Sequence, residues 1–359
     1  MSIVQEGYIQ VTGGKVWYRK TGIGKDGIPL LVLHGGPGAA HDYLEPVEPL
    51  SDERPVIFYD QLGCGNSDRP DDKSLWTIER FVEEIILIRE TFEIEKVHIL
   101  GQSWGSMLAV DYMLTRKPEG VASLILSGPC LSTSRFVADQ RAYLPAFTED
   151  IQNTILKSEA SGNFDSPEYQ DAIMVYYKRH VCRSDPWPDC LNRTIEKMGH
   201  EVYEYMWGPS EFTMSGILKD YERAERLKEI IMPVLFTCGQ YDEATPATTK
   251  YYQSMLPGSE IVFTEGEHGD VMFFIVSGSV SINRKSQIIR TMKRGDYFGE
   301  MSMLLNAPRT ATVKTLEDNT RIVVISQENF ETILKESPEV VLSILKEMAL
   351  RLKLTNESI

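Results

Sequence analysis

Four short runs, apolar almost throughout, constrain this chain more than any other feature. They are PLLVLHGGPG (29–38), PVIFYDQLGCGNS (55–67), KVHILGQSWG (96–105) and VASLILSGP (121–129), each closed by a Gly-rich or polar turn, with helical stretches between them. A strand without a polar face must be covered on both sides, so such strands belong to a parallel sheet packed between helices. The clearest covering helix is LWTIERFVEEIILIRETF (75–92). Ahead of the first run, GYIQVTGGKVWYRKTG (7–22) alternates around Gly13 and Gly14 and predicts a hairpin. The first 130 residues therefore read as an α/β domain.

From 131 to about 222 the strand signal disappears, and segments such as SPEYQDAIMVYYKRHV (166–181) carry helical spacing. This is expected to be a helical insertion. The strand–turn pattern resumes with MPVLFTCGQYDEATP (232–246), followed by a helix (247–256) and a strand, Ser259–Phe263. After Thr264 short strands alternate with glycine turns through 270–301 and 309–326, without crossover helices, before a helical close at 328–354. That pattern predicts an antiparallel β unit. The expected organisation is an α/β core of 1–130 and 223–264, a helical cap of 131–222, and a β-roll with flanking helices at 265–359. At about 150 residues per domain, 359 residues also suggest about two domains.

Charge narrows the partners. Lys and Arg number 37 against 52 Asp and Glu, a net charge of −15, and an acidic surface repels phosphate backbones, so nucleic acid is not expected as a partner. No apolar run approaches the ~20 residues of a membrane helix, and MSIVQEGYIQ has neither the basic patch nor the apolar core of a secretory signal. Five cysteines without metal-type CxxC pairs predict no metal site. Cys182 and Cys190 could meet in a loop, but free thiols in a reducing cytoplasm are the simpler expectation.

Gly101-Gln102-Ser103-Trp104-Gly105 lies where a buried strand (96–100) meets a helix (104–116), the setting of a G-x-S-x-G nucleophile elbow. Plain Gly-rich turns also match five such residues, and the strand–turn–helix context is what singles this one out. A serine hydroxyl needs an imidazole to take its proton and an acid to orient that imidazole. In chain order Ser, acid, His, the acid belongs in the loop after strand 233–238, where Asp242 and Glu243 stand; Asp242 is nearer the strand and is the candidate. Of six histidines only His268 follows that strand, so it is the candidate base. Two backbone amides must hold the oxyanion. One is that of Trp104, and the other is assigned to Gly36 within His34-Gly35-Gly36-Pro37-Gly38. His34 precedes the serine and is expected to support this loop.

These motifs resemble the proline iminopeptidases, including the tricorn-interacting aminopeptidase, of the α/β-hydrolase superfamily. The resemblance covers residues 1 to about 264 and rests on HGGPG (34–38), YDQLGCGNSDRP (59–70), GQSWG (101–105), RSDPWP (183–188), MWGPSEF (206–212) and GQYDEATP (239–246). It implies a cofactor-independent aminopeptidase that cuts proline or another small apolar residue from a peptide with a free N-terminus. It also implies two carboxylates on the substrate ammonium, matching Glu211 and Glu243. A protonated amine held by paired anions makes an exopeptidase rather than an esterase. Trp207 is open to two readings, a wall of the proline pocket or a core tryptophan.

EGEHGDVMFFIVSGSVSI (265–282) and GDYFGEMSMLLNAPRTATV (295–313) resemble cyclic-nucleotide-binding domains, over roughly 258–359. The resemblance implies cAMP or cGMP as a ligand, with Arg309 on the cyclic phosphate, Glu300 on the ribose hydroxyl, Gly299 and Ala307 keeping backbone accessible, and Thr310 adding a hydroxyl. The alternative reading of Glu300 and Arg309 is a surface ion pair. The final helix carries no appended helix-turn-helix, which disfavours a transcription factor.

The two resemblances collide at 258–270, where a hydrolase sheet and a β-roll claim the same strand. His268 lies 26 positions after Asp242, close to the peptidase spacing, but the residues beyond it depart from the peptidases. An aminopeptidase under nucleotide control, a nucleotide sensor with an inert hydrolase half, and a natural or engineered chimera all remain open at this level.

Overall fold

The computed structural model describes residues 4–256, 259–261, 271–284, 287–305, 309–316, 320–326 and 330. The chain divides into two compact units, Met1–Ile261 and Val262–Ile359.

The first unit opens with the hairpin β1 (Gln5–Val11) and β2 (Gly14–Thr21), in register Tyr8 to Trp17, turned at Gly13. Then come β3 (Leu30–Leu33), β4 (Val56–Tyr59), α1 (Ile78–Thr91), β5 (Val97–Gln102), α2 (Trp104–Arg116) and β6 (Val121–Ser127). Five helices follow before the sheet resumes: α3 (Thr133–Tyr143), α4 (Glu149–Ser161), α5 (Pro167–His180), α6 (Asp189–Glu196) and α7 (His200–Met206). β7 (Val234–Thr237), α8 (Pro246–Met255) and β8 (Glu260–Ile261) complete the unit.

The eight strands form one sheet in the order β1-β2-β4-β3-β5-β6-β7-β8. Pairing is antiparallel up to β4 and parallel from there on. All four residues of β3 and of β4 are buried, as two-sided coverage requires. α2 is buried along almost its whole length, and Phe81, Ile85 and Ile88 of α1 join Trp104, Met107 and Leu108 in the main core. A second layer, including Leu30, Val32, Val56 and Phe58, packs on the opposite face.

Between β3 and β4 the helical stretch is 3₁₀ over His41–Asp52; Pro46 and Pro49 lie inside it, each lacking the amide an α-helix needs. Among the described residues the last strand, expected at Ser259–Phe263, pairs with β7 through Glu260 and Ile261, opposite Leu235 and Phe236. Val262 and Phe263 lie outside the described residues.

Among its described residues the second unit holds two three-stranded antiparallel sheets. One has the order β11 (Gln287–Lys293), β10 (Ser279–Arg284), β13 (Thr312–Thr315); the other has β12 (Tyr297–Phe298), β9 (Val271–Ser277), β14 (Arg321–Ser326). A short helix, α9 (Glu300–Leu305), follows β12. Met272, Tyr297, Met303 and Phe330 form one buried cluster, and Ile275, Val280 and Met292 another. Gly278 turns β9 into β10 with φ +79°, where a Cβ would sit 2.4 Å from the Thr320 hydroxyl. Of the helix expected at 328–354, Phe330 alone is described. Among the described residues no helix is long and apolar enough to cross a membrane.

Candidate active site

β3 and β5 lie side by side with Leu33 opposite Gly101, so the loops leaving their carboxyl ends emerge together. The chain passes from β3 to β4 on one side, then crosses back to β5 on the other. Such reversal points leave a crevice in open α/β sheets, and ligands bind there. Ser103 stands at this point with φ 50° and ψ −116°, a conformation L-residues rarely adopt. Its amide donates to the Ser127 carbonyl of β6 at 3.0 Å, which helps hold the turn. A Cβ at Gly101 would come within 2.3 Å of the Gly105 carbonyl oxygen, and one at Gly105 within 2.1 Å of the Leu33 carbonyl oxygen. Strand and helix meet this closely only because both positions are glycine. Ser103 caps α2, whose first amides lack intrahelical acceptors and carry the positive end of the helix dipole.

The loop after β3 is braced against this elbow. Gly36 has φ +112°. The Tyr43 hydroxyl accepts from the Gly35 amide at 2.7 Å and donates to Gln102 Oε1, linking the loop to the residue before the serine. Gln61 makes a second bridge: its amide donates to His34 Nε2 at 3.0 Å, its Nε2 to the His34 carbonyl at 3.1 Å, and its Oε1 accepts from Trp104 Nε1 at 2.8 Å. His34 Nδ1 lies 2.9 Å from the Gly35 carbonyl, so the ring is neutral with its proton on Nδ1. Burial pushes its pKa down to about 4. His34 supports the loop.

After β7, Gly239–Glu243 forms the acid loop. Asp242 accepts from the Gly239 amide at 3.2 Å and the Ala244 amide at 2.9 Å. Burial pushes its carboxyl up, while those two amides pull it down. A Cβ at Gly128 would lie 3.4 Å from Asp242 Oδ2 and 3.5 Å from Gln102 Nε2, which puts the acid beside the elbow. Glu211 reaches the site from the segment after α7, and its Oε1 accepts from the Tyr203 hydroxyl at 2.7 Å. Burial pushes its carboxyl up to about 7. Glu243 is pushed well up by burial and then by the negative charges of Glu211 and Asp242. Oε2 of Glu211 and Oε2 of Glu243 are buried with no hydrogen-bond partner among the described residues. Two anions with unmet acceptors make a site for a cation that brings hydrogen-bond donors.

The remaining candidates fall as follows. His268 and Ala307 lie outside the described residues. Trp207 is fully buried in the main core, edge-to-face with Phe136 at 5.3 Å. In the second unit Arg309 is buried and donates to the Gly299 carbonyl at 2.9 Å and the Val271 carbonyl at 2.8 Å. Gly299 has φ +84°, and a Cβ there would meet Arg309 Nη1 at 2.5 Å. Glu300 is buried at the start of α9, and Thr310 is exposed. Among the described residues one trio, His41, Asp42 and Glu45, has metal-ligand spacing. His41 Nδ1 meets Asp60, and Asp42 Oδ1 and Glu45 pair with Arg193 and Lys197, so the trio is part of an ion-pair network that leaves Asp42 Oδ2 without a hydrogen-bond partner among the described residues.

Tyr43, Gln61, Gln102 and Tyr203 escaped sequence reasoning. Gln102 alone had a local signal, as the variable position of the elbow motif. The others act through contacts that only the folded chain creates.

The family described as alpha/beta hydrolase fold matches residues 28–168, and the family described as cyclic nucleotide-binding domain matches residues 254–337. A proline iminopeptidase of Heyndrickxia coagulans is 47% identical over 265 residues, covering 73% of this chain and 92% of the relative. A proline iminopeptidase of Saccharolobus solfataricus is 37% identical over 265 residues, 73% of this chain and 85% of the relative. Among solved structures, the proline iminopeptidase of Mycobacterium smegmatis superposes with a TM-score of 0.66 at 33% identity, covering 72% of this chain and 89% of that one. VinJ gives a TM-score of 0.68 at 34% identity, with the same coverage of 72% and 89%.

Proposed function

The chain belongs to the proline iminopeptidase family over its N-terminal ~265 residues, and on that footing we propose that this unit is a serine aminopeptidase. It releases an N-terminal proline, or another small apolar residue, from peptides. The observation that carries this is the buried pair Glu211 and Glu243, each with an unbonded carboxylate oxygen among the described residues. A peptide's terminal ammonium brings the charge and donors that this pair lacks.

Ser103 Oγ attacks the carbonyl carbon of the first residue and gives its proton to His268, which Asp242 orients. The amides of Gly36 and Trp104 stabilise the oxyanion. The C–N bond breaks as His268 passes that proton to the departing amine, leaving an ester on Ser103. Water then attacks the ester, His268 takes its proton and returns one to Ser103, and the free amino acid leaves. The chemistry requires no cofactor. Trp207 takes the core role. The insertion α3–α7 restricts access to chain ends, and the cysteines, all free thiols, suit a reducing cytoplasm.

The second unit carries a cyclic nucleotide-binding domain. Its ligand is cAMP or cGMP, with Arg309 on the cyclic phosphate, Glu300 on the ribose hydroxyl, and Gly299 and Thr310 beside them. Nucleotide would regulate the peptidase only by binding its active and inactive states with different affinity.

One observation favours a second reading. His268 falls inside the stretch matched by the cyclic nucleotide-binding family, 254–337. If the β-roll captures that histidine, the hydrolase half is inert and the chain is a nucleotide sensor. Turnover of a prolyl amide by the wild type, Ser103→Ala and His268→Ala separates the two. Loss by several powers of ten in both variants supports the peptidase. An inactive wild type that still binds cAMP in calorimetry supports the sensor.

A further inference from the structure

Three consecutive backbone carbonyls of the acid loop are each held by a side chain of the helical insertion. The Tyr241 carbonyl faces His180 Nδ1 at 2.9 Å, the Asp242 carbonyl accepts from the Tyr143 hydroxyl at 3.0 Å, and the Glu243 carbonyl accepts from Gln140 Nε2 at 3.0 Å. Loop carbonyls ordinarily turn to water or to their own loop. Here the donors come from α3 and α5, about 60 to 100 positions away in the chain.

The donors also fix one another. His180 stacks on Tyr143 with ring centroids 3.9 Å apart and leans on Tyr176 at 5.0 Å, and the Tyr176 hydroxyl donates to Gln140 Oε1. They form one connected cluster, so each bond supports the others. Burial and the nearby Arg179 and Arg183 hold His180 below its ordinary pKa, so it is a neutral ring donating from Nδ1.

We propose that His180, Tyr143 and Gln140 are positioning residues, with which the insertion sets the orientation of Asp242 and Glu243 by holding the peptide planes on either side of each. The carbonyls of 241 and 242 fix the planes flanking Asp242; those of 242 and 243 fix the planes flanking Glu243. Once these are set, the direction of each Cα–Cβ bond is set too. Asp242 has further support from the Gly239 and Ala244 amides, and the Glu243 carboxyl meets the Tyr176 hydroxyl while its Oε2 stays unbonded among the described residues. The part of the chain that restricts access thereby also aligns the triad acid and one ammonium ligand. This inference rests on the aminopeptidase reading for what the two carboxylates do, but not for how they are held.

The test uses the full-length chain and the variants Tyr143→Phe, His180→Phe and Gln140→Leu. Tyr143→Phe keeps the ring stacked on His180 and removes only the hydroxyl, so it is the variant least able to unfold the insertion. Amide exchange read by mass spectrometry is expected to rise about fivefold across 239–246 for each lost bond, while α3 and α5 exchange as in the wild type. In kinetics, Tyr143→Phe is expected mainly to lower kcat through Asp242, and Gln140→Leu mainly to raise KM through Glu243. Loop exchange unchanged from wild type overturns the proposal. So does acceleration of loop and helices together with a falling melting temperature, because the bonds would then merely attach the insertion. A wild type without Ser103-dependent turnover sinks the aminopeptidase reading alone, and the exchange result still decides whether the loop is held this way.

Discussion

Glu211 raises the carboxyl pKa of Glu243, and each residue keeps one oxygen buried and unbonded among the described residues. Two such acids, 32 positions apart in the chain, are unfavourable neighbours until a proton or a cation joins them. A substrate ammonium relieves both the repulsion and the unmet acceptors. An acylated amine relieves neither.

The pair should make activity depend on pH. Glu211 is pushed up to about 7, so kcat/KM for free-amine substrates is expected to fall at least about tenfold per unit as pH drops well below 7, and Glu211→Gln should shift that limb without removing the part set by His268 and Glu243. Stability should move the opposite way. Folded Glu211 keeps its proton up to about 7, while the unfolded chain releases it near 4.5, so the fold gains from this group at low pH and loses it as pH rises through that window. The loss is about 3 kcal/mol, and denaturant titrations of wild type and Glu211→Gln at pH 4.5 and 7.5 would measure it.

Gly105→Ala should fail at the level of the fold. The added Cβ would lie 2.1 Å from the Leu33 carbonyl oxygen, with backbone on both sides and nothing flexible to yield. A loss of 4 kcal/mol or more is expected, about the largest class of single-residue effects, visible as a lowered melting temperature or an insoluble product.

Tyr43→Phe should spare folding and impair chemistry. It unties the Gly35 amide from Gln102, loosening the loop that presents the Gly36 amide. A fall of about tenfold in kcat with little change in KM is expected, since misplacing one oxyanion donor costs less than the 10²–10³ of deleting it. An equal rise in KM would instead tie Tyr43 to ground-state binding.

Arg309→Ala should abolish nucleotide binding in calorimetry, lowering affinity by roughly 100-fold or more, as expected when a charged hydrogen-bonding group is removed from a phosphate. It should also lower the stability of the second unit, because Arg309 ties the Gly299 and Val271 carbonyls together. Arg309→Lys should recover part of the affinity but not the double carbonyl contact.

Much of this architecture was legible because its signals are local. β3 and β4 carry their two-sided burial in an uninterrupted apolar run, and Ser103 announces its strain through the glycines around it. Pro46 and Pro49 were local signals too, and they explain why the stretch at 41–52 winds as 3₁₀ turns. Glu211 and Glu243 were reached only through family resemblance, since nothing in their spacing brings them together. Tyr43, Gln140, Tyr143 and His180 were not legible at all. Each is an ordinary polar residue until the fold sets it against a backbone group far away in sequence.

The most direct test of the carboxylate pair is the rate at which the full-length chain releases a fluorescent amine from a free prolyl amide, compared with the same substrate acetylated on its nitrogen. The expected result is turnover that Ser103→Ala reduces by at least about three powers of ten, with the acetylated substrate poorer by about 100-fold or more. Equal rates on the two substrates would contradict an ammonium site at Glu211 and Glu243, and undiminished turnover in Ser103→Ala would contradict the nucleophile.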